Sequence, residues 1–316
     1  MRAIGFTDFG GPEVLTVLDV PEPRAEDGDV RIRVQAAAVN PSDLVTRSGG
    51  GRERWTDVRP PYIPGWEAAG VVEEVGPDSE FTVGDEVFAI TLPVLDGGGA
   101  YQDSIVVPTA SVVPRPAGVD VFAASTIAMN GMTALVALTL ADLDDGDTLA
   151  VTGSAGALGG YVIQIAAHRG IRVIADAKES DEELVRGLGA AEVVRRGDDV
   201  AERFRELAPN GVDALMDGAV QGDLVVPALA DGGRYLAVRW AGIGGETEES
   251  DRIVRHDVRV ADHVRDAGGL RELASLVDEG VLTPRVADVL PAEQAEQAHR
   301  RLEAGGLRGR LVLDFR

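Results

Sequence analysis

The sequence predicts an α/β protein with two domains: a β-rich domain and a domain built on a doubly wound parallel sheet. The first part of the chain consists of short β-rich runs broken by Gly and Pro, and alternating strands and helices begin near Val121. A turn of small residues also joins a strand to a helix at 148–160. The length of 316 residues suits two domains.

The β-rich domain is predicted over residues 1–120. Residues 30–39 alternate in polarity and then reach a turn at Asn40-Pro41, and later runs are rich in β-forming residues. The predicted strands are 30–39, 70–75 and 86–90. Short strands with frequent turn signals are typical of a barrel-like unit.

The second domain is predicted over residues 121–255. It opens with apolar residues at helical spacing over 122–140, and strands then alternate with helices. The predicted strands are 148–152, 172–175, 214–217 and 235–238, and the predicted helices are 159–169, 181–188 and 224–229. Strands separated by helices of this length indicate a parallel sheet with right-handed crossovers.

Residues 256–316 form a C-terminal segment. The charged run at 246–251, just before it, is predicted to be a solvated loop. Helical spacing then recurs at 270–279 and 292–304, and a final strand is predicted at 310–315.

The composition excludes several classes of function. With 30 Lys+Arg against 53 Asp+Glu, the net charge of −23 would repel nucleic acid and anionic lipid, so a small-molecule substrate is expected. Cysteine is absent, which excludes disulfides, thiolate nucleophiles and Cys-ligated zinc. No apolar run is long enough to span a membrane and no signal peptide is apparent, so we expect a cytoplasmic protein.

The turn at residues 152–160 (TGSAGALGG) is predicted to bind a dinucleotide. Gly156 would let the backbone approach a pyrophosphate, and Gly159 would let the helix pack closely on the strand. The helix N-terminus offers N–H groups and the positive end of a dipole. A strand before the turn and a helix after it give the context of a Rossmann fingerprint, although Ser154 replaces its first glycine.

The end of the second strand leaves the choice of cofactor open. Asp176 lies where a carboxylate would accept hydrogen bonds from the ribose hydroxyls of NAD and repel a 2′-phosphate. Against this, Lys178 and the Arg195-Arg196 pair could bind that phosphate. Lys178 is the only lysine of the chain.

Motifs spread over the chain match one family in order. They are residues 36–43 (AAAVNPSD), 47–49 (RSG), 64–70 (PGWEAAG), 152–160, Thr133-Ala134 and 309–313 (GRLVL). Together they resemble the medium-chain dehydrogenase/reductase superfamily and, within it, the zinc-independent quinone oxidoreductases, a branch that includes zeta-crystallin and polyketide enoyl reductases.

The resemblance implies a GroES-like, partly open β-barrel catalytic domain that the C-terminal segment rejoins, with a Rossmann domain inserted and an active site in the cleft. It also implies a homodimer. Zinc-dependent relatives carry a Cys near the position of Asn40, a His at that of Trp66, and a four-cysteine lobe. Since the chain has no cysteine, we expect no zinc.

The glycine-rich turn, the end of the second strand and the resemblance together give the candidate site residues. Asn40 and Asp43 are the expected catalytic residues, with Asn40 nearest the substrate oxygen or nicotinamide and Asp43 orienting it. The expected cofactor-binding residues are Asn130, Thr133, Ser154, Ala155, Gly156, Ala157, Leu158, Gly159, Asp176, Lys178, Arg196 and Ala219. The expected substrate-cleft residues are Val45, Trp55, Tyr62 and Trp66.

The chain departs from its relatives at two of these positions. Several relatives have a Tyr proton donor where this chain has Val45, so solvent or another group would supply the proton. Many relatives prefer NADPH and carry a small hydroxyl residue at the position of Asp176. With Lys178 and Arg196 in partial compensation, we favour NADPH and keep NADH as an alternative.

The expected activity is hydride transfer to a quinone or an α,β-unsaturated carbonyl compound, which needs little acid-base machinery from the protein. The alternatives are an enoyl reductase acting on a polyketide-type intermediate and a non-catalytic NAD(P)H-binding sensor. The four histidines are scattered, and we expect surface or capping roles for them. They are His168 and His299 in predicted helices and His256 and His263 in or beside charged loops.

Overall fold

The computed structural model describes residues 1–52, 58–77, 79–93, 97–238, 247 and 250–316. The chain divides into two compact units. Unit 1 contains Met1–Met129, Ala261–Gly280 and Pro284–Arg316, and unit 2 contains Asn130–Val260 and Val281–Thr283. Among the helices within these described ranges, none is long and apolar enough to cross a bilayer.

The described residues contain both strands and helices in each unit. The strands are β1 (Arg2–Gly5), β2 (Thr16–Asp19), β3 (Asp29–Val39), β4 (Glu67–Val75), β5 (Glu86–Ile90), β6 (Ser104–Pro108), β7 (Val112–Pro114), β8 (Thr148–Thr152), β9 (Arg172–Ala177), β10 (Glu192–Arg195), β11 (Val212–Asp217), β12 (Leu229–Ala237), β13 (Val254–Asp257), β14 (Val286–Pro291) and β15 (Arg310–Asp314). The α-helices are α1 (Pro41–Ser48), α2 (Val121–Ala124), α3 (Ala128–Ala141), α4 (Ala157–His168), α5 (Glu182–Gly187), α6 (Val200–Leu207), α7 (Ala267–Asp278) and α8 (Ala295–Ala304).

Unit 1 is built on a seven-stranded sheet. Six of its strands run in the order β14-β15-β3-β4-β5-β7, and β6 pairs with β3. The pairs are antiparallel except β14 with β15, and β1 and β2 form a separate antiparallel pair. Along β3, Val30, Ile32 and Val34 are buried in alternation, as the predicted strand requires.

The short helix α1 replaces the turn expected at Asn40-Pro41. Asn40 is the N-cap and Pro41 occupies the first helical position, where its fixed φ suits a helix and its missing N–H costs nothing. The carboxylate of Asp43 accepts a hydrogen bond from the backbone N–H of Asn40 at 2.8 Å. Gly49 ends the helix with a φ of 83°. A turn signal here begins a helix because its residues also suit an N-terminus.

Unit 2 contains the predicted parallel sheet. Its six strands run in the order β10-β9-β8-β11-β12-β13, and every pair is parallel. The chain order reverses between β8 and β11. In sheets of this type, that reversal is where ligands bind, outside the carboxyl ends of the strands.

The structure corrects some element boundaries. The helix expected over 122–140 is divided into α2 and α3, because the hydroxyls of Ser125 and Thr126 donate to the carbonyls of Phe122 and Ala123. The helix expected at 224–229 consists of two short 3₁₀ turns, Gly222–Leu224 and Val226–Ala228.

Candidate functional site

The glycine-rich turn leads from β8 into α4 at the reversal of strand order. Gly153 has a φ of 69°, and a Cβ there would lie 2.8 Å from the carbonyl carbon of Gly218. A Cβ on Gly159 would lie 2.5 Å from the carbonyl oxygen of Gly153, so only glycine lets the helix approach the turn this closely. Gly156, which is partly exposed, is the N-cap of α4.

The predicted residues of the turn differ in what they offer to a ligand. Ala155 is buried, whereas Ala157 and Leu158 are partly exposed in the first turn of α4. The first N–H groups of any helix have no partner within it, so this end suits an anion. Ser154 is different: it is fully buried, its N–H donates to Asp176 Oδ1 at 3.2 Å, and its hydroxyl donates to the carbonyl of Val151.

Asp217, at the end of β11, holds the neighbouring loop in place. Its Oδ1 accepts from the hydroxyl of Thr152, and its Oδ2 accepts from the hydroxyl of Tyr235 and the N–H of Gln221, each at 2.7 Å. The N–H of Ala219 donates in turn to Thr152 Oγ1 at 3.1 Å. Ala219 is exposed beside the turn, and no local sequence pattern indicates the carboxylate that fixes it.

Two predicted nicotinamide contacts lie in α3. Asn130 is 5% exposed and Thr133 is 7% exposed. The Nδ2 of Asn130 is buried and makes no hydrogen bond to any described residue. A buried amide donor without an acceptor carries a free-energy cost unless a ligand satisfies it. The turn and this amide together fit a dinucleotide, since both leave polar groups for a ligand to satisfy.

A basic pocket of about 560 Å³ opens at the end of β9. It is lined by Lys178, Glu179, Ser180, Arg195 and Arg196. Arg195 pairs with Glu179 at 3.1 Å. Lys178 is exposed and forms no ion pair within the described part of the chain.

Asp176 lies beneath this pocket and is fully buried. Its Oδ2 accepts from Arg196 Nε at 2.7 Å, and its Oδ1 accepts from the second nitrogen of the same guanidinium at 3.2 Å. This hydrogen bond is the main reason why the pKa of Arg196 is raised. The Asp176 carboxylate therefore faces Arg196 rather than solvent.

In unit 1, Asn40 and Asp43 belong to a buried polar cluster. The Nδ2 of Asn40 donates to Glu67 Oε1 at 3.0 Å, and its Oδ1 accepts from Arg310. Glu67 also accepts from the N–H of Met129 at 2.8 Å. Asn40 and Glu67 are both fully buried, so the Asn40 amide is committed to the protein on both sides.

The cluster continues from Asp43 through two aromatic rings. The hydroxyl of Tyr101 donates to Asp43 Oδ2 at 3.2 Å and lies 3.4 Å from His299 Nε2. An Arg47 nitrogen lies 3.2 Å from His299 Nδ1. Because a guanidinium can only donate, Nδ1 must be the acceptor and Nε2 must carry the proton that points to Tyr101. The other side of Arg47 pairs with Glu303 at 2.5 Å.

Burial shifts the titration of this cluster. It raises the pKa of Asp43 to about 7, although hydrogen bonds from Asn40, Gly65 and Tyr101 act in the opposite direction. It also raises the pKa of Glu67, and the charge of Arg310 opposes that rise. For His299, burial and the nearby Arg47 charge lower the pKa to about 3. His299 is therefore a buried neutral residue, in contrast to the surface or capping role expected for it.

Three of the four residues expected in the substrate cleft lie within the described part of unit 1. Trp66 is 1% exposed and lies in the core of unit 1, so it offers little surface to a substrate. Tyr62 is half-buried and stacks on Phe9 with ring centroids 4.9 Å apart. Val45 is half-buried on α1, and Trp55 lies outside the described residues.

The side chains at the positions of a catalytic zinc do not fit that metal. The Asn40 amide is bound by Glu67 and Arg310, and an indole at Trp66 is not a zinc ligand. Within the described ranges, no group of three or more His, Asp or Glu side chains is arranged to hold a metal ion.

Comparison with known proteins gives matches over nearly the whole chain. The family "Alcohol dehydrogenase GroES-like domain" matches residues 26–117, and the family "Zinc-binding dehydrogenase" matches residues 188–313. The quinone oxidoreductase of Sus scrofa is 30% identical over an aligned length of 332 residues, and the alignment covers 99% of this chain and 97% of that protein.

A plant relative and a solved structure also match this chain. The chloroplastic NADPH-dependent alkenal/one oxidoreductase of Arabidopsis thaliana is 31% identical over 249 residues, 76% of this chain and 63% of that protein. A mycobacterial protein solved in complex with NADPH has 29% identity and a TM-score of 0.85, with 99% of each chain covered. The chain therefore belongs to the medium-chain dehydrogenase/reductase superfamily, in the branch of the quinone oxidoreductases.

Proposed function

We propose that this protein is an NAD(P)H-dependent oxidoreductase that reduces a quinone or an α,β-unsaturated carbonyl compound. The observation that carries the proposal is the glycine turn at the reversal of strand order. Only glycine at positions 153 and 159 lets the turn pack against the loop at Gly218 and lets α4 pack against the turn. The names of the quinone oxidoreductase and alkenal/one oxidoreductase relatives support the reaction class.

The residues of unit 2 would hold the cofactor. Gly156, Ala157 and Leu158 would bind the pyrophosphate at the N-terminus of α4, and Asn130 Nδ2 would donate to the nicotinamide end. Ala219 is exposed on the loop that Asp217 fixes, and it would form the edge of the cofactor site next to β11. When bound, the nicotinamide supplies a hydride, which is the difficult part of the chemistry.

In unit 1, Asn40 and Asp43 would act as positioning residues. Both use their polar atoms within the buried cluster, so they fix α1 and the strand ends rather than present a donor to the substrate. The half-buried Val45 on the same helix gives the substrate an apolar surface without a proton donor. Protonation of the product would then fall to solvent or to a group outside this cluster.

We infer that NADPH is the preferred cofactor. Lys178, which forms no ion pair with a described residue, and the partly exposed guanidinium of Arg196 line one pocket, where a 2′-phosphate would find two cations. The NADPH-dependent plant relative and the mycobacterial neighbour solved with NADPH support this preference.

We also propose a cytoplasmic homodimer. The absence of cysteine suits a reducing compartment, and the family resemblance supports two copies. Light scattering on the eluted peak of a gel filtration column measures the mass directly, and the 33.2 kDa chain would then give twice that mass.

The test of the proposed activity is NADPH consumption by the full chain, followed at 340 nm with a panel of quinones and enones. We expect at least one class of acceptor to raise the rate of oxidation well above the rate without acceptor. Cofactor that binds tightly while all acceptors fail would contradict the proposal and favour a sensor.

A further inference from the structure

The carboxylate of Asp176 has little capacity left for a ligand. An ionised carboxylate accepts about four hydrogen bonds, and Asp176 already accepts two from Arg196 and one from the N–H of Ser154. The residue is fully buried, and its partner Arg196 is the group that faces outward, with 35% of its side chain exposed. A ribose hydroxyl could therefore reach Asp176 only by displacing Arg196.

Arg196 is held at both of its ends. Its backbone N–H donates to the carbonyl of Ala177 at 2.9 Å, while its guanidinium is fixed on Asp176 through two nitrogens. A bidentate carboxylate contact fixes the plane of a guanidinium, which still has donors left for a second anion. The remaining donors thus stay available at the pocket that Lys178 and Arg195 also line.

The charge at this pocket differs in sign from that of the whole chain. Among the side chains that line the pocket, Lys178, Arg195 and Arg196 bring three positive charges and Glu179 brings one negative charge, while the buried Asp176 and Asp181 also act on Arg196. In a protein with a net charge of −23, the lining of this pocket is therefore locally positive. A dianionic phosphate would gain from it, whereas a neutral ribose hydroxyl would not.

We propose that Asp176 is a specificity-determining positioning residue with a role opposite to that of an NAD-selecting carboxylate: it holds Arg196 ready for the 2′-phosphate of NADPH. The Asp176–Arg196 pair also disfavours NADH, since a free 2′-hydroxyl must break the pair to reach the carboxylate. The inference rests on the proposed function only for the identity of the cofactor and concerns binding alone.

The test measures affinities of the full chain for two adenosine fragments by calorimetry. The probes are 2′,5′-ADP, which carries the 2′-phosphate, and 5′-AMP, which lacks it. We expect Asp176→Asn to weaken binding of 2′,5′-ADP about tenfold, because the amide cannot hold both guanidinium nitrogens, and to leave 5′-AMP within about twofold. A carboxylate that selects NAD by repulsion predicts the reverse, a gain in 2′,5′-ADP affinity, and that result would overturn the inference.

A second variant keeps the test decisive if Asp176→Asn fails to fold. We expect Arg196→Ala to weaken the binding of 2′,5′-ADP by about tenfold or more. The same substitution should tighten the binding of 5′-AMP and NADH several-fold, because it releases the carboxylate for the ribose. An unchanged ratio of the two affinities would refute the proposal. The matched control is Arg186→Ala, which removes an exposed arginine of α5 paired with Glu182 and should leave both affinities unchanged.

The two proposals fail in different ways. If the unaltered chain binds neither NADPH nor NADH, the proposed function is wrong. If it binds and reduces acceptors but Asp176→Asn improves binding of the 2′-phosphate, only the role given to Asp176 is wrong.

Discussion

The imidazole of His299 is held neutral by its burial and by the nearby charge of Arg47. Its Nδ1 accepts from Arg47, and its Nε2 faces the hydroxyl of Tyr101. Its native pKa of about 3 lies below the ordinary value of 6.5. The unfolded chain therefore binds a proton between these values and the native protein does not, so stability is lost as the pH falls from 6.5 towards 3.

Asp43 changes the stability in the opposite direction over nearly the same pH range. Its native pKa of about 7 lies above the ordinary value of 3.8, so its contribution to stability is fully present below pH 3.8 and is lost as the pH rises through 7. The two groups oppose each other between pH 4 and 6.5. A variant that removes one of the two titrating groups is therefore needed to observe the contribution of either group.

We predict that His299→Gln reduces the loss of stability in acid. Glutamine retains an acceptor for Arg47 and a donor for Tyr101 but does not titrate. Between pH 7 and 5, the free energy of unfolding of the variant should improve relative to the unaltered protein by about 2 kcal/mol. Urea denaturation at each pH measures this difference.

The control for this experiment is His168→Gln, which changes an exposed residue at the end of α4 and should follow the unaltered protein at every pH. If the free energy of unfolding of the His299 variant also changes in parallel with that of the unaltered protein from pH 7 to 5, the claim that the buried imidazole stays neutral is refuted.

At the scale of elements, the strand, turn and helix around Gly156 were predictable because the pattern that specifies them is local. The strand predicted at 148–152 has the bounds of β8, and the helix predicted from 159 begins at Ala157. The helix α1 was missed since Asn40-Pro41 suits both a turn and a helix start, and only Asp43 three residues later distinguishes them.

The buried cluster could not be predicted from local patterns. Asn40 meets Glu67 and Arg310, and Tyr101 meets His299, across separations of 27 to 270 residues. Each of these side chains is an ordinary polar residue in its own segment. Their partners become apparent only when β3, β15 and α8 pack in the same unit.

We predict that Gly156→Asp strongly weakens cofactor binding while preserving the fold. Aspartate is a good N-cap, but its Cβ would lie 3.0 Å from the backbone carbonyl oxygen of Gly153, which is a tight contact, so we expect a folded protein with a loss of stability of about 1 kcal/mol. A carboxylate at the helix N-terminus would repel the pyrophosphate and lower NADPH affinity about 100-fold.

Gly156→Asn has nearly the same shape without the charge, so it separates repulsion from crowding. Thermal unfolding and NADPH titration on both variants measure the two effects. Equal affinities of the aspartate variant and the unaltered protein would remove this turn from the binding site.

At the scale of the whole molecule, the net charge of −23 is reconciled with an anionic cofactor by two local features. Backbone N–H groups at the start of α4 need no basic side chain to hold a pyrophosphate. The positive pocket beside Asp176 would supply side-chain charge for a 2′-phosphate. The chain's only lysine, Lys178, is one of the residues that line this pocket.

The class of the molecule was predictable from sequence, whereas the surroundings of Asp176 were not. Alternating strands and helices specify a doubly wound sheet, and motifs distributed from end to end specify the family. The sequence could not show which of Asp176 and Arg196 faces solvent, because that depends on the burial of one beneath the other.

The most direct test of the proposed hydride transfer is to follow an isotope from the cofactor to a substrate with the full chain. NADPH deuterated at nicotinamide C4, on either face, is mixed with a simple α,β-unsaturated ketone, and the product is examined by mass spectrometry. We expect one deuterium at the β-carbon from one of the two labelled faces only. Tight binding of NADPH with no labelled product, and with no oxidation of NADPH by quinones either, would refute the proposed hydride transfer.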